Sequence, residues 1–340
     1  MIAGMDRPIR GRTHRARIVT AFAMAMAVPQ FVPADAVAWG ERTHEIINRR
    51  AVDFLPDAQR AAWSGLAVPL GGHASDADHR KSFDKDEGQR HFIDIDAHDD
   101  PPFAKVPRTF EGLKDKVGAE EALRWGIVPW AIDDAYRMFV ISMERGDWGS
   151  AVAWGADLGH YVADSHQPLH CTMNYDGQST GNRGVHVRFE ITMMDRYYQE
   201  GALPADGEGD EPMPYGGAPA AYCLDWIPLA YDGLSSILDA DTRAQSADSD
   251  FGDEYYRIMW EGTAPTARLQ VHRAARDLAV LYAAAWEEAG SPVPPEVMPP
   301  AVALPRELLN GPVGEEVPLK RAAYVVAGIA VVGAFLLGGL

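Results

Sequence analysis

His160-Tyr-Val-Ala-Asp164-Ser-His166-Gln-Pro168-Leu-His170, followed by His186-x-x-x-Glu190, is the stretch on which the reading of this chain turns. Histidine, aspartate and glutamate are the ligands that zinc and other borderline cations accept. His160 and Asp164 stand four residues apart, so on a helix they share one face, a turn apart. Pro168 keeps that helix from running on unbroken, and His170 falls just beyond it. The spacing predicts a metal site.

The His186–Glu190 segment carries two contrary signals. In Val185-His-Val-Arg-Phe-Glu-Ile191 the apolar residues alternate, which by itself favours a strand. In a strand His186 and Glu190 would lie about 13 Å apart, too far for one ion. On a helix they are neighbours. Ligand chemistry favours the helix, and local β-propensity is a weak counterweight.

An apolar fraction of 47% is enough to build a core, and 340 residues suffice for one large domain or two ordinary ones. The net charge of −18, from 31 Lys and Arg against 49 Asp and Glu, removes any global attraction to a phosphate backbone. Nucleic acid stays open as a substrate, because a cluster of divalent cations reverses the sign locally. Cys171 and Cys223 are the two cysteines; without a Cys-x-x-Cys pair they argue against a thiolate zinc site. They form either a disulfide in an exported protein or two buried thiols.

The ends read as targeting segments. Arg7 to Arg17 is basic, Ile18 to Val32 is a broken apolar run, and Ala36-Val37-Ala38 matches a small-x-small cleavage site. Residues 1–38 are therefore expected to be a signal peptide, with Trp39 as the new N-terminus of a periplasmic or extracellular protein. Residues 322–340 carry no charge and, at about 1.5 Å per residue, reach about 28 Å as a helix, enough to span a bilayer. They are expected to anchor the protein in a membrane, with a removable sorting tail or a docking helix as alternatives. Lys320 and Arg321 run against the positive-inside tendency there. Prolines recur through 290–321, which reads as a semi-rigid linker. The folded body is then 39–289.

Helical periodicity dominates that body. Helices are expected over 43–54, 119–145, 148–164, 218–238 and 265–289, interrupted by polar segments at 67–117 and 173–182 and a Gly/Pro-rich loop at 201–217. An all-α domain with long loops follows. Trp125, Trp130 and Trp154 are expected in the core, Asp94 and Asp96 as turn caps, and His73, His79, His98 and His272 in no special role.

At its histidines and carboxylates the chain resembles the superfamily of bacterial zinc-dependent phospholipases C and S1/P1-type nucleases, over most of the body. The resemblance implies a multi-helix domain holding three Zn2+ ions in a cleft, with a mature N-terminal tryptophan whose amine and carbonyl bind one of them. Trp39 follows the cleavage site directly, and His44 lies five residues on, as in the nuclease branch. His91 in His91-Phe-Ile-Asp-Ile-Asp resembles the next histidine ligand, preceded by Asp78 or, as an alternative, Asp76. One zinc would take Asp78, His91, His160 and Asp164. A second would take Trp39, His44 and the other oxygen of Asp164, and the third His170, His186 and Glu190. His166 is expected to orient a ligand from behind.

The resemblance is to a hybrid of the two branches. Ala163 and Ser165 depart from the phospholipase pattern, and His166-Gln-Pro-Leu-His170 is nuclease wording. Glu190 and the short gap from His170 to His186 are phospholipase-like. The implied activity is phosphodiester hydrolysis by a metal-activated water, with Asp78 and Asp164 as the catalytic carboxylates and Arg80 or Lys81 as a helping cation. A phospholipid head group is the favoured substrate, single-stranded nucleic acid or a 3′-nucleotide the runner-up, and a non-catalytic metal-binding surface protein a third reading.

Overall fold

Eighteen residues of one helix, Trp148–Ser165, are all buried, and the rest of the fold is arranged around them. The computed structural model describes residues 39–202, 204 and 211–302, which are helical with no strand among them. In chain order the helices are α1 Glu41–Asp53, α2 Asp57–Ala62, α3 Ala67–Gly72, α4 Asp76–Arg80, α5 Phe110–Val117, α6 Ala119–Arg124, α7 Val128–Glu144 and α8 Trp148–Ser165. There follow α9 Val185–Val187, α10 Met194–Tyr197, α11 Pro219–Tyr231, α12 Leu234–Ala247 and α13 Asp253–Glu288. Tight helical turns at Gly88–His91, Ile95–Ala97 and Pro168–Cys171 carry the chain between them. The expected all-α class is what the described residues show.

A helix apolar on all sides belongs in the middle of a bundle. Around α8 pack α1, α3, α7, α11 and α13. Side chains such as Ile47, Phe139, Leu158 and Leu278 are 0–2% exposed, and each contributes about 1.5–3 kcal/mol by leaving water. Two glycines make the closest approaches possible. A Cβ on Gly159 would lie 2.0 Å from Asn48 Oδ1, so the bare Cα makes room for the Asn48 amide between α1 and α8. Gly126, at φ +83°, faces the Phe92 carbonyl, 2.2 Å from where a Cβ would be.

The helix-favouring reading of 185–191 holds. Val185–Val187, a π-helical turn at Arg188–Met193 and Met194–Tyr197 run on as one rod, begun by Gly184 in the left-handed region. Elsewhere boundaries shift. The expected 119–145 helix is broken at Gly126 into α6 and α7, and 218–238 is broken at Gly233 between α11 and α12. The last helix begins at Asp253, twelve residues before its expected start at Pro265, which sits inside it. Tertiary packing holds that turn despite the missing N–H.

The proline-rich segment is not wholly a free tether. Trp286 Nε1 donates to the Pro292 carbonyl at 2.8 Å, and Val302 N donates to Gly149 O at 3.3 Å. Met298 and Ala301 pack against the core. Residues 290–302 therefore lie along the body and return to the start of α8. The expected signal peptide at 1–38 and the apolar run at 322–340 lie outside the described residues. Among the described residues no helix is long and apolar enough to cross a membrane. Cys171 and Cys223 are both buried free thiols, the second of the two alternatives.

Candidate metal centre

Asp157, His160, Tyr161 and Asp164 recur along one stripe of α8, at i, i+3, i+4 and i+7. The lower half of that stripe meets the loop from Asp78 to His91. His160 Nε2 lies 3.2 Å from Asp164 Oδ2, 2.9 Å from His91 Nδ1 and 3.6 Å from Asp78 Oδ1. His91 Nδ1 is 2.9 Å from Asp164 Oδ2 and 3.5 Å from Asp78 Oδ1. A tetrahedral zinc site with bonds of about 2.0–2.2 Å has ligand-to-ligand edges of about 3.3–3.6 Å. These edges scatter about that length.

Two further groups adjoin this one. His44, on α1, stacks its ring on that of His160 at 3.9 Å and brings Nε2 to 3.4 Å from Asp164 Oδ1. Asp164 thus turns one oxygen to each side. On the other flank, His170 Nε2 and His186 Nε2 are 3.1 Å apart, and Glu190 lies 3.4 Å from the first and 3.0 Å from the second. Three such groups of side chains could each hold an ion: His44/His160/Asp164, Asp78/His91/His160 and His170/His186/Glu190.

The tautomers sharpen the point. His160 Nδ1 is 2.6 Å from the Ala74 carbonyl, His170 Nδ1 is 2.7 Å from that of His91, and His186 Nδ1 is 2.9 Å from that of Tyr175. A carbonyl only accepts, so each Nδ1 must be the N–H donor, leaving Nε2 as a lone pair in the neutral ring. Lone pairs then face lone pairs and carboxylate oxygens. In the absence of a cation, protons must take its place. Although burial opposes it, Asp164 and Asp78 push the His160 imidazole up to about 9, and Asp164 and Glu190 push His170 up to about 9. Against their own burial, Asp164 is held well below the usual carboxylate range by His160 and His170, and Glu190 is lowered by His186 and His170. Burial and the neighbouring His160 lower His44 instead. Both His44 nitrogens, Asp164 Oδ1 and Glu190 Oε1 are buried without a hydrogen-bond partner. This donor set fits zinc, and protons are a costly substitute.

The cluster is open on one side. His44, His160, Asp164 and Glu190 are fully buried, whereas Asp78, His170 and His186 keep 6–7% exposure. Lys81, part-exposed, places Nζ 2.6 Å from Asp78 Oδ1.

Every residue expected to offer a side-chain ligand reaches the cluster; Trp39 was expected to offer its amine and carbonyl instead. Trp39 Nε1 donates to the Ala163 carbonyl at 2.9 Å, and Gly40 N donates to the Glu190 carbonyl at 3.3 Å. Its backbone thereby joins the elements that carry Asp164 and Glu190. The expected cleavage that would free the Trp39 amine falls at residue 38, outside the described residues. Of Asp76 and Asp78 it is Asp78 that stands in the cluster; Asp76 is half-buried and pairs with His73 at 2.8 Å. His166 is a correction. It stacks on Trp226 and faces Asp277 at 3.3 Å, because a residue two past Asp164 on a helix points to a different side.

Arg80 is also corrected as a helping cation, since it is buried in a two-point pair with Asp157 and a contact to Glu87. Asp96 caps a turn, accepting from Thr172 Oγ1 and Met173 N. Asp94 is raised to about 7 by burial and by Asp96. Trp130 and Trp154 are core residues; Trp125 is half-buried under Arg124. Sequence reasoning missed Glu87 and Gln167. Gln167 Nε2 donates to Glu190 Oε2 at 2.7 Å, so it does the orienting work expected of its neighbour His166. Glu87 faces His91 Nε2 at 3.3 Å, and its place four residues before His91 was the available signal.

No protein-family model matches the chain, and no curated protein matches it.

Proposed function

We propose that this chain is a zinc-dependent phosphodiester hydrolase with three metal positions in one cleft, of the kind the zinc-dependent phospholipases C and S1/P1-type nucleases represent. The observation that carries the reading is the set of distances of 2.9–3.6 Å between ring nitrogens and carboxylate oxygens, which is repulsive unless a metal ion or a proton stands between them. Bound zinc would supply Lewis acidity at a phosphoryl oxygen and a water made acidic near neutral pH. The chain's own residues do the rest. Asp164 turns Oδ1 to His44 and Oδ2 to His91 and His160, and would hold ions on both sides at a fixed spacing. Asp78 stands at the edge that solvent reaches, with Lys81 beside it to face the negative charge of a phosphodiester. We assign catalytic roles to these two carboxylates and treat Lys81 as the cation that Arg80 cannot be.

A phospholipid head group is the favoured substrate. Met173 and Tyr175, three and five residues past His170, and Val187, next to His186, are exposed apolar residues, and the Tyr175 ring lies 6.1 Å from that of His186. Such side chains suit an amphiphile presented at an interface. Nuclease or 3′-nucleotidase activity is the second reading, favoured by the working role of Gln167 within the nuclease-like His-Gln-Pro-Leu-His wording.

The test is made on the full chain loaded with zinc. It is incubated with phosphatidylcholine vesicles and, separately, with single-stranded DNA and RNA, with and without chelator. Chelator-sensitive release of phosphocholine supports the lipid reading, and release of nucleotides alone moves the assignment to the second. Bound zinc with neither product overturns the enzyme reading in favour of a metal-binding surface protein. Fewer than two zinc ions per chain overturns the shared role of Asp164.

A further inference from the structure

Of the five candidate ligand histidines three are held alike, His44 has no hydrogen-bond partner at either nitrogen, and His91 stands apart from both. His160, His170 and His186 each give Nδ1–H to a backbone carbonyl and turn Nε2 toward the cluster. His91 is reversed. Its Nδ1 meets Asp164, Asp78 and His160, while Nε2 is buried without a hydrogen bond of good geometry and has Glu87 Oε1 3.3 Å away. Which nitrogen an imidazole offers is set by what holds the other one.

Glu87 is itself tightly held. Its side chain is fully buried. Tyr161 donates to Oε1 at 2.5 Å and Arg80 Nε donates to Oε2 at 3.2 Å. Arg80 in turn grips Asp157 through two bonds of 2.6 and 3.1 Å. Asp157 and Tyr161 belong to the same stripe of α8 as His160 and Asp164. The loop bearing His91 is therefore braced against the helix that carries two of its fellow ligands. Both charges of the Arg80 pairs are buried, so the arrangement survives because each ion has its partners.

We propose that Glu87 is a positioning residue that fixes His91 as an Nδ1 ligand, with Arg80, Asp157 and Tyr161 as the brace that fixes Glu87. A carboxylate holds the ring more firmly than a carbonyl and makes the opposite nitrogen more basic. The position built from Asp78, His91, His160 and Asp164 gains affinity from this. The position built from His170, His186 and Glu190 does not. The inference rests on the metal reading above.

Nitrogen-15 spectra of the histidine rings in the zinc-loaded full chain decide it without any variant: His91 is expected to bind through Nδ1 and to keep its proton on Nε2. In stepwise competition with a chelator, Glu87→Gln is expected to weaken zinc at the Asp78/His91 position by about 10- to 100-fold and to leave the Glu190 position unchanged. Tyr161→Phe, which removes one bond to Glu87, is expected to give a smaller loss at the same position. His91 bound through Nε2, or a Glu87→Gln chain with wild-type affinity at both positions, overturns the proposal. A wild-type chain that binds no zinc overturns the metal reading itself, which the same titration shows separately.

Discussion

The half of the centre around Asp164 draws ligands from α1, α4, the Gly88–His91 turn and α8, whereas the half around Glu190 takes all of its side chains from residues 170–190. The first half closes loops across much of the body and depends on how helices meet. The second closes within one turn-and-helix unit, at a lower entropic demand. Its helix even carries a π turn, a feature common at functional sites, placed over Glu190. The two halves touch through His91, whose carbonyl accepts from His170 Nδ1 and whose ring serves the first half. They should therefore fail separately under mutation, with Asp164 and the helix contacts governing one and Gln167 the other.

The largest expected effect is at Asp164. Asp164→Asn removes the charge that two positions share, and losing several kcal/mol of metal-dependent stabilisation corresponds to a rate loss of about 1,000-fold or more. Zinc content should fall toward one ion per chain, retained by His170, His186 and Glu190. Elemental analysis beside kinetics checks this, and a full zinc complement would break the division into halves.

Gly159→Ala comes next. The added Cβ would lie 2.0 Å from Asn48 Oδ1, so the Asn48 amide must shift and give up its bonds to the His44 carbonyl and the Tyr282 hydroxyl. A destabilisation of about 1–3 kcal/mol is expected from such overpacking, read as a lower Tm with selective loss of the His44 position. An unchanged Tm would show that α1 is not held by this contact.

Gln167→Leu is the mirror experiment. It leaves Glu190 without its hydrogen bond and should weaken the His170/His186/Glu190 position by about 10- to 100-fold while sparing the other half. Equal losses in both halves would show that they are coupled through His91.

The smallest effect concerns pH and should appear in both halves alike. In the metal-free chain His160 and His170 are raised to about 9 from 6.5. Their contribution to stability is fully present below 6.5 and is lost as pH rises through about 9. The metal-free Tm should therefore decline over that window, and zinc should flatten the decline by replacing the protons. A metal-free Tm that rises from pH 6.5 to 9 would contradict the sign.

Much of the second half was legible because its geometry is local. His186 and Glu190 four apart, and His170 just past Pro168, needed only a helical assignment, and ligand chemistry outweighed the alternating pattern of 185–191. The pairing of His160 with Asp164 was legible for the same reason. Asp78 over Asp76 was not, because two residues apart on a short helix they point to different sides and only the partner helix selects one. His166 was misplaced by the same geometry. Gln167 and Glu87 carry no ligand signature and act only through the ligand they touch. The docked course of residues 290–302 was hidden because proline content reports stiffness and says nothing of contact.

By itself the sequence determined the all-helical class and the longer helices, though not the short ones within 57–117, and it showed which histidines and carboxylates within one helical turn meet. Periodicity and ligand chemistry are properties of short stretches, and short stretches are what a sequence displays. Tertiary structure alone decided that α1 comes near enough to α8 to stack His44 on His160, that Arg80 is spent on Asp157 and Glu87, and which nitrogen of each ring faces the cluster. Those outcomes depend on close packing between segments far apart in the chain, down to the missing Cβ of Gly159.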